Sequence, residues 1–192
     1  MSKPKVHFCH GNSFPSGSYR QMFAALEAHY DIDALDMHGH NPRYPVTTNW
    51  PYLVQELIDT LQAKYTEPVI LLGHSLGGIL SLMAASQRPD LVRCVVMIDS
   101  PVVTGWRAWF LKTFRVLGLL EKYSPAQFSL KRRTLWKDKE EAFEHFSAKD
   151  KFAIWPPQVL RDYIDAGTVP HSEGVTLKFT REIESAIYVT LP

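Results

Sequence analysis

Gly73-His74-Ser75-Leu76-Gly77 fits the pattern Gly-x-Ser-x-Gly, and its surroundings restrict what the serine can do. The apolar run from Pro68 to Gly73 reads as a strand, and the stretch after Ser75 reads as a helix that must end by Pro89. A serine between such a strand and helix sits on a sharp, strained turn. Glycines two positions to either side let strand and helix approach closely enough to expose its hydroxyl. The chemistry open to such a serine is nucleophilic attack on a carbonyl carbon. Serine is a weak nucleophile at its own pKa, so attack also needs an imidazole within hydrogen-bond reach and a carboxylate to orient that imidazole.

The elements around this turn alternate. "VHFC", from Val6 to Cys9, is a short apolar run that stops at His10-Gly11 and reads as a buried strand. Next, Tyr19, Met22, Phe23, Leu26 and Tyr30 keep a spacing of three and four and line one face of a helix. A second strand follows in "YDIDALDM", ending in a loop at Gly39 and Pro42. Asn49-Trp50-Pro51 then opens a helix with Leu53, Leu57, Ile58, Leu61 and Tyr65 on one face. A further strand lies in "LVRCVVMIDSP", unbroken in hydrophobicity from Cys94 to Ile98, as expected of a strand covered by helices on both faces. The pattern predicts an α/β fold with a mostly parallel sheet flanked by helices.

Beyond Pro101 the texture changes to amphipathic, aromatic and strongly charged segments, with a short helix in "WPPQVLRDYIDAG" and no strand expected between Val102 and Gly174. "GVTLKF" reads as a short strand and "REIESAIYV" as a final helix. The expected division is a core over 1–101, a helical lid insertion over 102–173 and a return segment over 174–192. Trp106, Trp109, Trp136 and Trp155 fall in the insertion, which suggests an apolar inner surface. Arg107, Lys112 and Arg115 interleave with Trp106, Trp109, Phe110 and Phe114, a pattern that fits a solvated helix over a pocket or a helix lying on a lipid surface.

With these stretches together, the chain resembles the α/β-hydrolase superfamily of the serine esterase and lipase type. "HFCHGNSFPSGSY" looks like the family's His-Gly oxyanion loop, "DALDMHGHNP" like the loop after the next strand, "GHSLGG" like the nucleophile elbow and "VVMIDSP" like the strand that leads into a lid. The resemblance implies Ser75 as nucleophile and the backbone N–H groups of Leu76 and Asn12 as oxyanion donors. His10, Ser13, Phe14 and His74 are expected to line the pocket. His-Gly-Asn also occurs in the haloalkane dehalogenase branch, whose elbow carries aspartate where this chain has Ser75. The implied reaction is hydrolysis of a carboxylic ester of a small or apolar substrate, without a cofactor. A non-catalytic binding module and a lyase or acyltransferase on the same fold are the alternatives.

In this superfamily the chain order is nucleophile, acid, histidine. Only His145 and His171 follow Ser75, and the strands that normally carry the acid and histidine are not visible before Pro192. Two readings stand open. In one, the chain is C-terminally incomplete and both groups lie beyond residue 192. In the other, His171 is the base and Asp99, directly after the strand that ends at Ile98, is the acid.

Bulk properties narrow the classes. At 192 residues and 45% hydrophobic, the chain supports one decorated domain, and 21 basic against 20 acidic side chains give no field that would recruit nucleic acid. No segment reaches the length of a membrane span, and no signal-like apolar region follows Met1, so a cytoplasmic location is expected. Cys9 and Cys94 each sit in an apolar run and are expected as small buried hydrophobes. The eight histidines show no metal-ligand spacing, so no metal is expected. Nothing in the sequence bears on oligomeric state.

Overall fold

Alternating side-chain direction along strand β1 (Lys5–Cys9) sets up both faces of the main sheet. The computed structural model describes residues 2–102 and 126–192. Within it, β1 pairs in parallel with β2 (Asp31–Ala34) on one side and with β3 (Val69–His74) on the other. Strand β4 (Val92–Ile98) follows β3, giving the order β2-β1-β3-β4. Side chains two apart share a face. Val6, Phe8 and Leu72 therefore look one way, onto helix α1 (Arg20–Leu26), through the Tyr19, Met22, Phe23 and Leu26 stripe that the spacing predicts. Cys9, Val69 and Leu71 look the other way, onto helices α2 (Pro51–Lys64) and α3 (Leu76–Gln87).

Helix α2 opens with Pro51 at its first turn, but no side chain caps it; Trp50 takes the cap position with φ 56° and buries its ring in the core. Proline is suited to that place because its missing N–H has no helical partner there.

The insertion corrects the expectation of helices alone. Beside helices α4 (Ala126–Lys131), α5 (Lys139–Ser147), α6 (Asp150–Ala153) and α7 (Pro157–Gly167), it contains a small antiparallel sheet. That sheet is built from β5 (Leu135–Trp136), β6 (Thr168–His171) and β7 (Gly174–Leu177), in the order β5-β7-β6. Gly174 has φ 135°, which allows the tight return between β6 and β7, and Pro170 sits on the edge strand, where a missing N–H costs nothing. Because β7 belongs to this sheet, the chain rejoins the main core at Phe179, not at residue 174. Helix α8 (Arg181–Val189) then packs Ile187 against Trp50 and α2. Trp106, Trp109, Phe110 and Phe114, with the basic residues between them, lie outside the described residues.

Strand β4 corrects a second expectation. Among the described residues it is the edge of the sheet, with Val96 at 46% and Ile98 at 40% exposure, and Cys94 is exposed where a buried thiol was expected. Hydrophobic continuity reports that a strand can be covered on both faces; it does not say that it is.

Candidate active site

Strand β3 ends at His74 and helix α3 begins at Leu76, so the whole reversal falls on Ser75. Its backbone has φ 50° and ψ −113°, a conformation that a non-glycine residue adopts only when its surroundings hold it there. They do hold it. The Ser75 N–H donates to the Ile98 carbonyl at 2.9 Å, and the Ser75 carbonyl accepts from the N–H groups of Gly78 and Ile79. The flanking glycines are required by contact. A Cβ on Gly77 would lie 2.0 Å from the Cys9 carbonyl oxygen, and one on Gly73 would lie 2.4 Å from the backbone of Gly77 and Gly78.

Ser75 lines a cavity of about 480 Å³. Leu76 and Asn12 line the same cavity, together with apolar residues that include Trp50, Ile79, Met83 and Ile187. The nucleophile candidate and the two residues proposed to supply oxyanion N–H groups thus share one apolar recess. Leu76 is the first residue of a twelve-residue helix, where N–H groups have no helical acceptor and the helix dipole favours negative charge.

Asn12 sits in the loop after β1 and is buried; its side-chain amide donates to the Glu184 carbonyl at 3.0 Å. Ser13 has φ 76°, and its Oγ accepts from Arg132 at 2.8 Å. Phe14 turns into the insertion, against Tyr163 and Trp155. His10 is fully enclosed: it accepts from the His38 N–H through Nε2 at 2.7 Å, and its Nδ1 lies 2.8 Å from the Gly11 carbonyl. Burial first, then the charge of His38, pushes its pKa down to about 3. His10, Ser13 and Phe14 are not among the residues that line the Ser75 cavity.

His74 is also outside that lining, on the other flank of the elbow. Its Nδ1 is 2.6 Å from the Tyr19 hydroxyl, which in turn accepts from the Gly11 N–H at 3.0 Å. Burial lowers the pKa of His74, and the nearby charge of Asp99 opposes that shift. Asp99 itself follows β4 with φ 43° and is exposed.

His171 ends up elsewhere. It is exposed at the end of β6, where its Nδ1 accepts from the Glu173 N–H at 3.2 Å, and it does not border the Ser75 cavity. His145 is half-buried against Trp136 and Phe146 in the insertion. All eight histidines are among the described residues, and none hydrogen-bonds the Ser75 hydroxyl. The parts that sequence reasoning missed are Arg132 and Glu184, two charges among many in charged segments; no local pattern marks them. Among the described residues, no cluster of three or more His, Cys, Asp or Glu is arranged to hold a metal. No helix among them is long and apolar enough to cross a membrane.

The family model described as the alpha/beta hydrolase family matches residues 8–178. The chain belongs to the alpha/beta hydrolase family. Among its relatives in that family is a pimeloyl-[acyl-carrier protein] methyl ester esterase of Xylella fastidiosa, 28% identical over 106 residues, which are 55% of this chain and 40% of that protein. An epoxide hydrolase of Caballeronia sordidicola is 35% identical over 122 residues, 60% of this chain and 36% of that protein. In fold, the chain is similar to the crystal structure of E-2-(acetamidomethylene)succinate hydrolase. The TM-score is 0.75 at 21% identity, with 97% of this chain and 65% of that one covered. The chain thus spans well under half the length of these curated relatives and about two thirds of the solved hydrolase.

Proposed function

We propose that this chain carries the nucleophile and oxyanion parts of a serine hydrolase that cleaves a carboxylic ester with an apolar acyl or alcohol group. One observation carries the reading: Ser75 occupies a left-handed elbow that opens on an apolar cavity shared with Asn12 and Leu76. In the proposed reaction Ser75 Oγ bonds to the carbonyl carbon while its proton passes to a base. The carbonyl oxygen takes up negative charge beside the N–H groups of Leu76 and Asn12, each such donor contributing about 10²–10³ in rate. Collapse expels the alcohol, which takes that proton from the base, and leaves an acyl-enzyme; water then attacks the acyl carbon, the base moves the water's proton to Ser75 Oγ, and the carboxylic acid departs.

The apolar lining supports an apolar group next to the carbonyl, since burying each CH₂ there contributes about 0.8 kcal/mol of binding. The relatives' esterase and hydrolase activities support the reaction class, and Ser75 in place of an acidic elbow residue supports an acyl-enzyme. A second reading, a binding module that keeps the elbow without turnover, is favoured by the lack of any imidazole on the Ser75 hydroxyl. The pair is separated by incubating the chain with p-nitrophenyl esters from acetate to decanoate and weighing the intact protein. The hydrolase reading expects an acyl adduct on Ser75 and a preference for the longer chains. Binding of the esters without adduct or p-nitrophenol release would contradict an acyl-enzyme on this chain.

A further inference from the structure

Three consecutive residues of the loop after β1 are each held by a different part of the chain, and one ion pair joins those parts. Asn12 gives its side-chain amide to the Glu184 carbonyl on α8 at 3.0 Å. Ser13 accepts at 2.8 Å from Arg132, which follows α4. Arg132 and Glu184 meet each other at 2.6 Å, with side chains only 17% and 8% exposed. Arg181 on α8 also donates to the Leu130 carbonyl on α4, so α8 is tied both to α4 and to the residue that follows it. Phe14 completes the set by packing into the aromatic core of the insertion. The loop that bears the Asn12 N–H is therefore seated on the insertion and α8 through side chains, not on the sheet alone.

We propose that Arg132 and Glu184 are positioning residues that fix the Asn12 backbone N–H opposite Ser75, making the insertion and the oxyanion loop one mechanical unit. The inference rests on the hydrolase reading for its effect on chemistry, but the coupling itself is a property of the fold. Ser13 with φ 76° lies in a conformation that a non-glycine residue keeps only when its surroundings hold it, so the loop needs external contacts. Arg132 is suited to the task because a planar guanidinium can bond a hydroxyl and face a carboxylate at once, whereas an ammonium offers a compact point charge. A misplacement of about 1 Å at a catalytic donor costs on the order of 10²-fold in rate, so loosening this seat has a large readout.

The test compares Arg132→Met, Arg132→Lys and, as control, Arg133→Met in the 192-residue chain. Arg133 is the adjacent arginine, pairing with the exposed Glu141 and bonding the Leu135 carbonyl away from the loop. Amide hydrogen exchange is followed over residues 10–16 and 69–98, together with the rate of Ser75 labelling by a fluorophosphonate. For Arg132→Met we expect exchange to quicken over 10–16 and not over 69–98, and labelling to slow at least about tenfold. Arg132→Lys should fall between it and the wild type, and Arg133→Met should match the wild type.

Wild-type exchange over 10–16 in Arg132→Met overturns the proposal, as does quickening spread evenly over both segments. If Arg132→Met does not fold, Arg132→Lys decides by the same criterion. Failure of the wild type to label at Ser75 strikes the hydrolase reading and leaves the exchange result to decide the coupling.

Discussion

The hydroxyl of Tyr19 lies 2.6 Å from Nδ1 of His74, the residue immediately before the elbow serine, and the same oxygen accepts from the Gly11 N–H at 3.0 Å. One phenol thus pins the loop after β1 to the end of β3. Tyr19 and His74 share one hydrogen bond, whose donor is set by the tautomer of the imidazole.

Removing this phenol oxygen tests the pin. Tyr19→Phe keeps the ring against Phe8 and leaves the buried Gly11 N–H unpaired, at a cost of about 1–3 kcal/mol. Urea denaturation should show that loss, and Ser75 labelling should slow. Unchanged stability would mean that the Tyr19 bridge is not formed in solution.

A pair of glycine substitutions separates contact from propensity. Gly77→Ala drives a methyl group into the Cys9 carbonyl, which is backbone and cannot give way, so a loss of at least about 3 kcal/mol is expected. Gly167→Ala meets only Tyr163 at 3.9 Å, an ordinary contact, and at the end of a helix it should be neutral or stabilising by up to about 1 kcal/mol. Thermal unfolding of both variants is the check. Similar melting temperatures would contradict the close approach of α3 to β1.

The buried histidines give stability a maximum in pH. Burial, reinforced by the charge of His38, pushes His7 down to about 4 and His10 down to about 3. Unfolded imidazoles titrate near about 6.5. The unfolded chain therefore binds more protons in this range, and stability is lost as pH falls from about 6.5 toward these values. His38 has the opposite sign. Burial opposes its charge, but hydrogen bonds to Cys9 and Glu56 outweigh burial and raise it to about 9. Its contribution is complete below about 6.5 and is lost as pH rises through about 9. Urea denaturation across this range should show both limbs, and Glu56→Gln should flatten the alkaline one. An alkaline limb unchanged by Glu56→Gln would contradict the His38–Glu56 pairing.

The two cysteines should differ sharply toward a thiol reagent. Cys94 is exposed on β4, and Cys9 is fully buried. Native protein should release one equivalent of chromophore from Ellman's reagent promptly and the second only on unfolding. No prompt equivalent would mean that β4 is covered in solution.

How much of this was legible in the sequence follows from which interactions are local. The elbow was, because a strand, two glycines and a helix within a few residues admit one backbone path. The Tyr19, Met22, Phe23 and Leu26 face was, because helical spacing is a local signal. Strands β5 and β6 were missed because a two-residue and a four-residue strand, one containing Pro170, carry too little alternation to register. The exposure of Val96 and Ile98 was missed because hydrophobicity does not report what is present to cover it. At the site, Ser75, Leu76 and Asn12 meet at one cavity. His10 and Phe14 carry the right residue types for a pocket but face inward, since direction is set by tertiary partners such as His38 and Tyr163. His171 follows Ser75 in chain order and lies near the return to the sheet, but neither property brings a hairpin side chain to the elbow.

The elbow is tested most directly by treating the 192-residue chain with a fluorophosphonate and locating the adduct by peptide mass analysis. A single adduct on Ser75, absent from Ser75→Ala and retained in His171→Ala, is the expected result. An unmodified chain, or an adduct on another residue, would contradict an activated serine at the head of α3.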